Sequence, residues 1–294
     1  MMQNLNLKSY LTLRNFVYLL LIAPVFYTIM LFLIDDSDEF SNVGTASYTH
    51  LAKQQSCSAG KLDGEKGATY GEQTREGIKY NVRTPLNYDK TIAHPLLVVY
   101  APANANRAKS EKLTNLTYQA TSAGFIIAYA DHPELSTTSA VELGAIPKLI
   151  AKKWCIDEDR IYLTGHSDGG TSAMAVAFMS GTRDIPTAIA PSAAGITYDD
   201  LSSHSCPKPI SVMVMHSKND HLFPGYGSDT SGWWAACNEC SPIPKKLDNG
   251  CIAYQECKNN VKVWYCEGDQ LHAKWSNMNE EMLEFLATSD RVRE

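Results

Sequence analysis

Arg160-Ile161-Tyr162-Leu163-Thr164-Gly165-His166-Ser167-Asp168-Gly169-Gly170-Thr171-Ser172-Ala173-Met174 is the stretch on which the chain turns. Residues 161–163 are short, apolar and β-prone, and residues 173–179 are small, apolar and compatible with a helix. Between them lies G-x-S-x-G with a further glycine behind it. A strand that turns straight into a helix through this pattern is a nucleophile elbow, in which the serine takes a strained backbone conformation with its Oγ exposed. Gly165 and Gly169 flank Ser167 because a Cβ at either place would meet neighbouring backbone. The helix that follows aims its free N–H groups and positive dipole end at the point where an oxyanion would form.

Working outward, strands alternate with helices. Residues 78–83 alternate apolar and polar, as an edge strand does. Residues 96–100 and 125–130 are continuous apolar runs, as expected of strands buried on both faces. Residues 110–123 read as a helix closed by Gly124. Residues 139–154 read as a second helix, which Pro147 should kink or split. Further strands are expected at 187–190, 210–215 and 261–265, and a closing amphipathic helix at 279–287. The alternation predicts an α/β fold with a mostly parallel central sheet and helices on both faces. In such sheets the chemistry gathers at the carboxyl ends of the strands.

The polar residues fall in those places. Asp220 lies just past the strand 210–215, and His272 just past the strand 261–265. The order Ser167, Asp220, His272 is the one this fold uses for a nucleophile, an acid and a base. A serine hydroxyl is a weak nucleophile at neutral pH, so His272 would take its proton. Asp220 would fix the imidazole tautomer and stabilise the imidazolium. Competing acids are Asp199, Asp200 and Asp269; His216 and His221 flank the acid and shape its loop, and His166 points elsewhere on the turn. His132 also follows a strand end and is expected to line the substrate cleft. Of the two N–H donors an oxyanion needs, one is expected from Asp168. The other should come from the loop Ala101-Pro102-Ala103-Asn104-Ala105-Asn106, where Pro102 has no N–H and Asn104 is favoured over Ala103. The scheme calls for no metal or organic cofactor.

The chain has 294 residues, 44% of them hydrophobic, enough for one α/β domain and an appendage. A net charge of −6 with no basic patch argues against a nucleic-acid partner. Residues 16–34 carry no charge and are long enough to cross a hydrocarbon core as a helix. Lys8 and Arg14 precede them, and Asp35, Asp36, Asp38 and Glu39 follow. That asymmetry leaves residues 1–15 in the cytoplasm and exports the rest. An uncleaved signal anchor that partners the membrane is expected. A cleaved signal is the alternative, for which Gly44-Thr45-Ala46 makes a poor site. Residues 35–56 read as a polar linker, and 57–294 as the catalytic domain. All eight cysteines, Cys57, Cys155, Cys206, Cys237, Cys240, Cys251, Cys257 and Cys266, follow the apolar stretch. In an exported chain they imply up to four disulfides, in any of about 105 pairings. The rival for Cys237-x-x-Cys240 is a zinc site, but the spacing is not repeated downstream.

Residues 78–275 resemble the extracellular polyhydroxybutyrate depolymerase and feruloyl-esterase-like branch of the α/β-hydrolases. The likeness rests on Tyr80-Asn81-Val82-Arg83-Thr84-Pro85-Leu86-Asn87-Tyr88-Asp89, on the approach from Cys155 to the elbow, and on His216-x-x-x-Asp220-x-x-x-Pro224. A fourth stretch is Trp234-Ala235-Ala236-Cys237-Asn238-Glu239-Cys240, together with His272 and Trp275. The resemblance implies hydrolysis of carboxylic esters, of polyhydroxyalkanoate or feruloyl type, and sets Trp234 and Trp275 beside His132 at the substrate. The family's oxyanion loop carries His-Gly, whereas this chain has Pro102-Ala103-Asn104, closer to the Pro-Gly-aromatic turn of cutinase-like enzymes. Two other functions fit the same residues: a serine peptidase of this fold, and a catalytically silent anchored binding domain.

Overall fold

The computed structural model describes residues 43–48 and 62–292. The expected anchor at 16–34, most of the linker at 35–56, and Cys57 lie outside the described residues. Among those described, no helix is long and apolar enough to cross a membrane. All of them belong to one compact unit, Ser41–Glu294.

Two antiparallel strands, β1 (Ala68–Gln73) and β2 (Lys79–Arg83), lead into the sheet. Next come β3 (His94–Tyr100), helices α1 (Arg107–Thr114) and α2 (Thr117–Ser122), and β4 (Ile126–Ala130). Helix α3 (Thr137–Ala151) is followed by β5 (Ile156–His166) and α4 (Asp168–Phe178), the two arms of the elbow. The chain continues through β6 (Ala188–Ser192), α5 (Tyr198–Ser202), β7 (Ser211–Ser217) and α6 (Tyr226–Cys237). A hairpin of β8 (Ser241–Lys246) and β9 (Ile252–Gln255) precedes β10 (Val263–Gly268) and the closing helix α7 (Asn279–Ala287). The strand order is β1-β2-β4-β3-β5-β6-β7-β10-β9-β8. The six central strands, from β4 to β10, pair in parallel, and an antiparallel hairpin closes each edge.

Both faces of the parallel strands are buried, which is why they read as unbroken apolar runs. Leu96, Val98 and Tyr100 of β3 face α3, α4 and α6 in one core; Leu97 and Val99 face α2 and α7 in the other.

Several expectations need correction. The helix expected at 110–123 is two helices, because Asn115 takes a left-handed conformation (φ 49°) and sends its N–H to the Glu111 carbonyl. Pro147 does not split α3. Its missing N–H frees the Leu143 carbonyl, and the buried Tyr100 hydroxyl donates to that oxygen at 3.2 Å. Part of the expected linker is docked: Val43 and Ala46 are buried, and the N–H groups of Gly44 and Ala46 reach the side chains of Thr121 and Asn87. Cys237 and Cys240 are not a ligand pair. They join Cys206 and Cys257, and a third disulfide links Cys251 to Cys266. Strands β1, β8 and β9 escaped sequence reading. β8 reads Ser-Pro-Ile-Pro-Lys-Lys, whose prolines and lysines suit an exposed sheet edge and mask strand character.

At the elbow, backbone meets backbone. A Cβ on Gly169 would stand 2.0 Å from the Tyr100 carbonyl oxygen; one on Gly165 would stand 2.5 Å from the Gly169 carbonyl. Gly169→Ala is therefore expected to lower the melting temperature by at least about 3 °C. Thermal unfolding followed by circular dichroism checks this, and a wild-type midpoint would mean that the two backbones do not meet as described.

Candidate active site

Ser167 sits between β5 and α4 with φ 54° and ψ −121°, a conformation side-chain-bearing residues rarely adopt. Its N–H is held by the Ser192 carbonyl at 2.9 Å. Asp220 stands on the loop after β7, fully buried, and His272 on the loop after β10. His272 Nε2 lies 3.0 Å from Ser167 Oγ, and His272 Nδ1 lies 2.7 Å from Asp220 Oδ2. Asp220 Oδ1 accepts the N–H groups of Leu222 and Phe223, each at 3.0 Å. Burial alone would raise the Asp220 carboxyl. The hydrogen bonds from His272 and the Phe223 N–H, with the facing imidazoles of His272 and His216, outweigh it and hold the group below its ordinary value. An ionised Asp220 requires Nδ1 of His272 to carry the proton, which leaves Nε2 free to accept from the Ser167 hydroxyl.

Two further imidazoles surround this pair, and sequence reading assigned them only minor parts. Burial pushes His166 down to about 4, so it is neutral at pH 7. Its Nε2 faces the His272 carbonyl at 2.6 Å and must be the donor; its Nδ1 then accepts from the Ser192 hydroxyl at 3.2 Å. The base is thereby tied to the nucleophile's own strand. Burial also lowers His216, whose Nε2–H donates to the Phe223 carbonyl at 2.8 Å and lies 3.5 Å from Asp220 Oδ2. The position of Ser192, a polar residue at a strand's carboxyl end, was the one available signal for this layer.

The other expected site residues divide. Asp168 opens α4 beside the nucleophile, and its carboxylate meets His132 Nε2 at 2.9 Å. His132 thus reaches the elbow itself. Asn104 lies in a turn closed by the Ala105 N–H on the Pro102 carbonyl, with φ 59°. This loop abuts the elbow, since the Tyr100 and Ala101 carbonyls pack on Gly169. Asp131 anchors the loop by accepting the Arg107 N–H at 2.7 Å and pairing with its guanidinium at 3.2 Å. Trp234 and Trp275 are corrections. Trp234 is wholly buried under α6 in the core, out of reach of any cleft. Trp275 is buried behind His166, with ring centroids 6.1 Å apart, and its Nε1–H donates to Asn279. The resemblance placed both at the substrate, but large rings on these helix and loop faces serve packing.

No family model matches the chain. A feruloyl esterase B of Piromyces equi is 25% identical over 221 residues, 64% of this chain, and the chain spans 41% of that relative's length. An acetyl xylan esterase from Aspergillus awamori superposes over 76% of this chain and 99% of its own, with a TM-score of 0.55 at 15% identity. An S-formylglutathione hydrolase from Staphylococcus aureus covers 76% of this chain and 100% of its own, with a TM-score of 0.54 at 12% identity. The chain has the α/β-hydrolase fold and is similar in sequence to a feruloyl esterase. In this fold Ser167, Asp220 and His272 each stand just past the carboxyl end of a parallel strand, β5, β7 and β10.

The buried neutral histidines have a consequence for stability. The unfolded chain binds a proton on His166 near pH 6.5, and the folded one only near pH 4. Folding therefore releases a proton in that window, and stability rises with pH from 4 to 6.5. The His166 contribution amounts to at most about 3 kcal/mol. Urea unfolding across this range should show the slope, and His166→Gln should flatten it; an unchanged slope would contradict the buried neutral assignment.

Proposed function

We propose that this chain is a serine hydrolase of carboxylic esters, working through Ser167, His272 and Asp220. The observation that carries the reading is the continuous pair of contacts at 3.0 and 2.7 Å from hydroxyl to imidazole to buried carboxylate, on a strained elbow. The similarity to a feruloyl esterase and to esterases of the same fold agrees with ester chemistry.

The steps follow from the geometry. Ser167 Oγ attacks the ester carbonyl carbon while its proton passes to His272 Nε2. Asp220 holds the Nδ1–H and stabilises the imidazolium. The carbonyl oxygen becomes an oxyanion, held by the N–H groups of Asp168 and Asn104. The tetrahedral adduct collapses, and the leaving alkoxide takes the proton from His272 Nε2. Water then gives a proton to the same nitrogen and attacks the acyl-enzyme carbonyl; the second adduct collapses, its bond to Ser167 Oγ breaks, and His272 returns the proton to that oxygen as the acid leaves. No step calls for a metal or an organic cofactor.

The acyl group is of the feruloyl or hydroxyalkanoate type in this reading, carried on a polymer or a small ester. Export is supported by the three disulfides among the described residues, since such bonds persist in oxidising compartments. Residues 16–34 are uncharged and long enough to tether the domain to a membrane, with the catalytic side outside the cytoplasm.

Ser167→Ala should lower kcat by about six orders of magnitude, and Asp220→Asn by about four, on a feruloyl or hydroxybutyryl ester. The asparagine amide would turn a donor toward Nδ1 and force the wrong tautomer. Stopped assays of ester hydrolysis, beside labelling by a fluorophosphonate probe, measure this. Activity that survives in Ser167→Ala would remove the nucleophile assignment.

A further inference from the structure

The loop that carries Asp220 also carries two aromatic rings that take no part in the hydrogen bonds of the triad. Phe223 meets the His272 imidazole edge to face, with centroids 5.0 Å apart, and stacks on Tyr226 at 5.3 Å and 22°. Its ring rests on Gly195, where a Cβ would stand 2.7 Å from the ring. Gly195 in turn gives its N–H to Thr171 Oγ1, one helical turn beyond Ser167. This chain of contacts sets the Phe223 ring between His272 and the start of the elbow helix. Phe223 and Tyr226 remain half-buried, and the neighbouring Leu222 is 61% exposed. Half-buried aromatic faces next to a reactive centre offer a substrate apolar area to cover.

Chemistry tells which half of the substrate meets it. The leaving alcohol takes its proton from His272 Nε2, so its oxygen must lie against that imidazole. The carbonyl oxygen lies on the other side, toward Asp168 and the 101–106 loop, where the surroundings are polar: His132 with Asp168, and Arg107 with Asp131. We propose that the Phe223–Tyr226 pair, rimmed by Leu222, binds the alcohol half of the ester, and selects alcohols that present a flat ring with an apolar face. An aromatic alcohol and a cyclic sugar both offer such a face; stacked aromatic side chains recognise it by area and by edge and face contacts. This inference rests on the hydrolase reading above, because it takes His272 as the acid that releases the alcohol.

The test uses esters that share one acyl group and differ only in the alcohol: methyl, cyclohexylmethyl, naphthylmethyl and a sugar 6-ester. With the acyl group constant, deacylation is common to all, and kcat/KM reports the alcohol. We expect kcat/KM to be about tenfold higher for the naphthylmethyl or the sugar ester than for the methyl ester. Whichever of the two gains more identifies the source of the ring. Tyr226→Ser and Leu222→Ser should each shrink that ratio by about threefold or more, with folding verified by melting temperature and by fluorophosphonate labelling of Ser167. A flat series, or a ratio that both folded variants leave unchanged, overturns the subsite. Loss of labelling in the wild-type protein, or hydrolysis that persists in Ser167→Ala, would instead strike the hydrolase reading.

Discussion

The close approach of backbone to backbone at the elbow is the constraint from which the rest of the site follows. Gly169 lies against the last carbonyl of β3, Gly170 against the Ser192 carbonyl, and Gly165 against Gly169. Only residues without a Cβ let β5, β3 and β6 converge so tightly on the start of α4. That convergence drives Ser167 to a positive φ, a conformation worth on the order of 1–3 kcal/mol of strain. It also brings the loop after β3 beside the helix N-terminus, so that two segments far apart in sequence can offer N–H groups to one point. The strain is tolerable because the strands on either side are buried on both faces and anchored by two cores.

Electrostatics in the site obey a second economy. Asp220 is a fully buried carboxylate with two imidazoles within 3.5 Å, and a third sits on the His272 carbonyl. Burying several charges together would be costly. Burial instead keeps His166 and His216 neutral, and each spends its single N–H on a main-chain carbonyl. The three histidines therefore sit differently: one faces the Ser167 hydroxyl, one supports the loop of Asp220, and one fixes the backbone of His272.

The far edge of the sheet is held by covalent means. Cys251–Cys266 ties β10 to the turn before β9, six residues ahead of His272, and Cys240–Cys257 and Cys206–Cys237 close the region around α6. Each such link constrains the unfolded chain, by about 3 kcal/mol for a loop of 15 residues in the entropic account. The base thus stands on a loop whose root is fixed by a disulfide and whose tip is fixed by His166. The hairpin edge itself, rich in proline and lysine, discourages pairing with other chains.

Read alone, the sequence determined the alternation of strand and helix, the elbow around Ser167, and the order of Ser167, Asp220 and His272 past successive strand ends. These are local signals: residue period, glycine spacing, and polar residues placed just after apolar runs. Tertiary structure decided what those signals cannot hold. Trp234 and Trp275 differ from cleft residues only by what packs over them, so a motif could not reveal that both are buried. The break at Asn115 and the unbroken helix through Pro147 depended on a backbone conformation and on a hydroxyl from β3. The disulfide pairs, and the contacts of His166 with the His272 carbonyl and of His216 with the Phe223 carbonyl, depended on distances that no local pattern carries. Such distances are set by how the sheet closes its register, a property of the whole fold rather than of any stretch of chain.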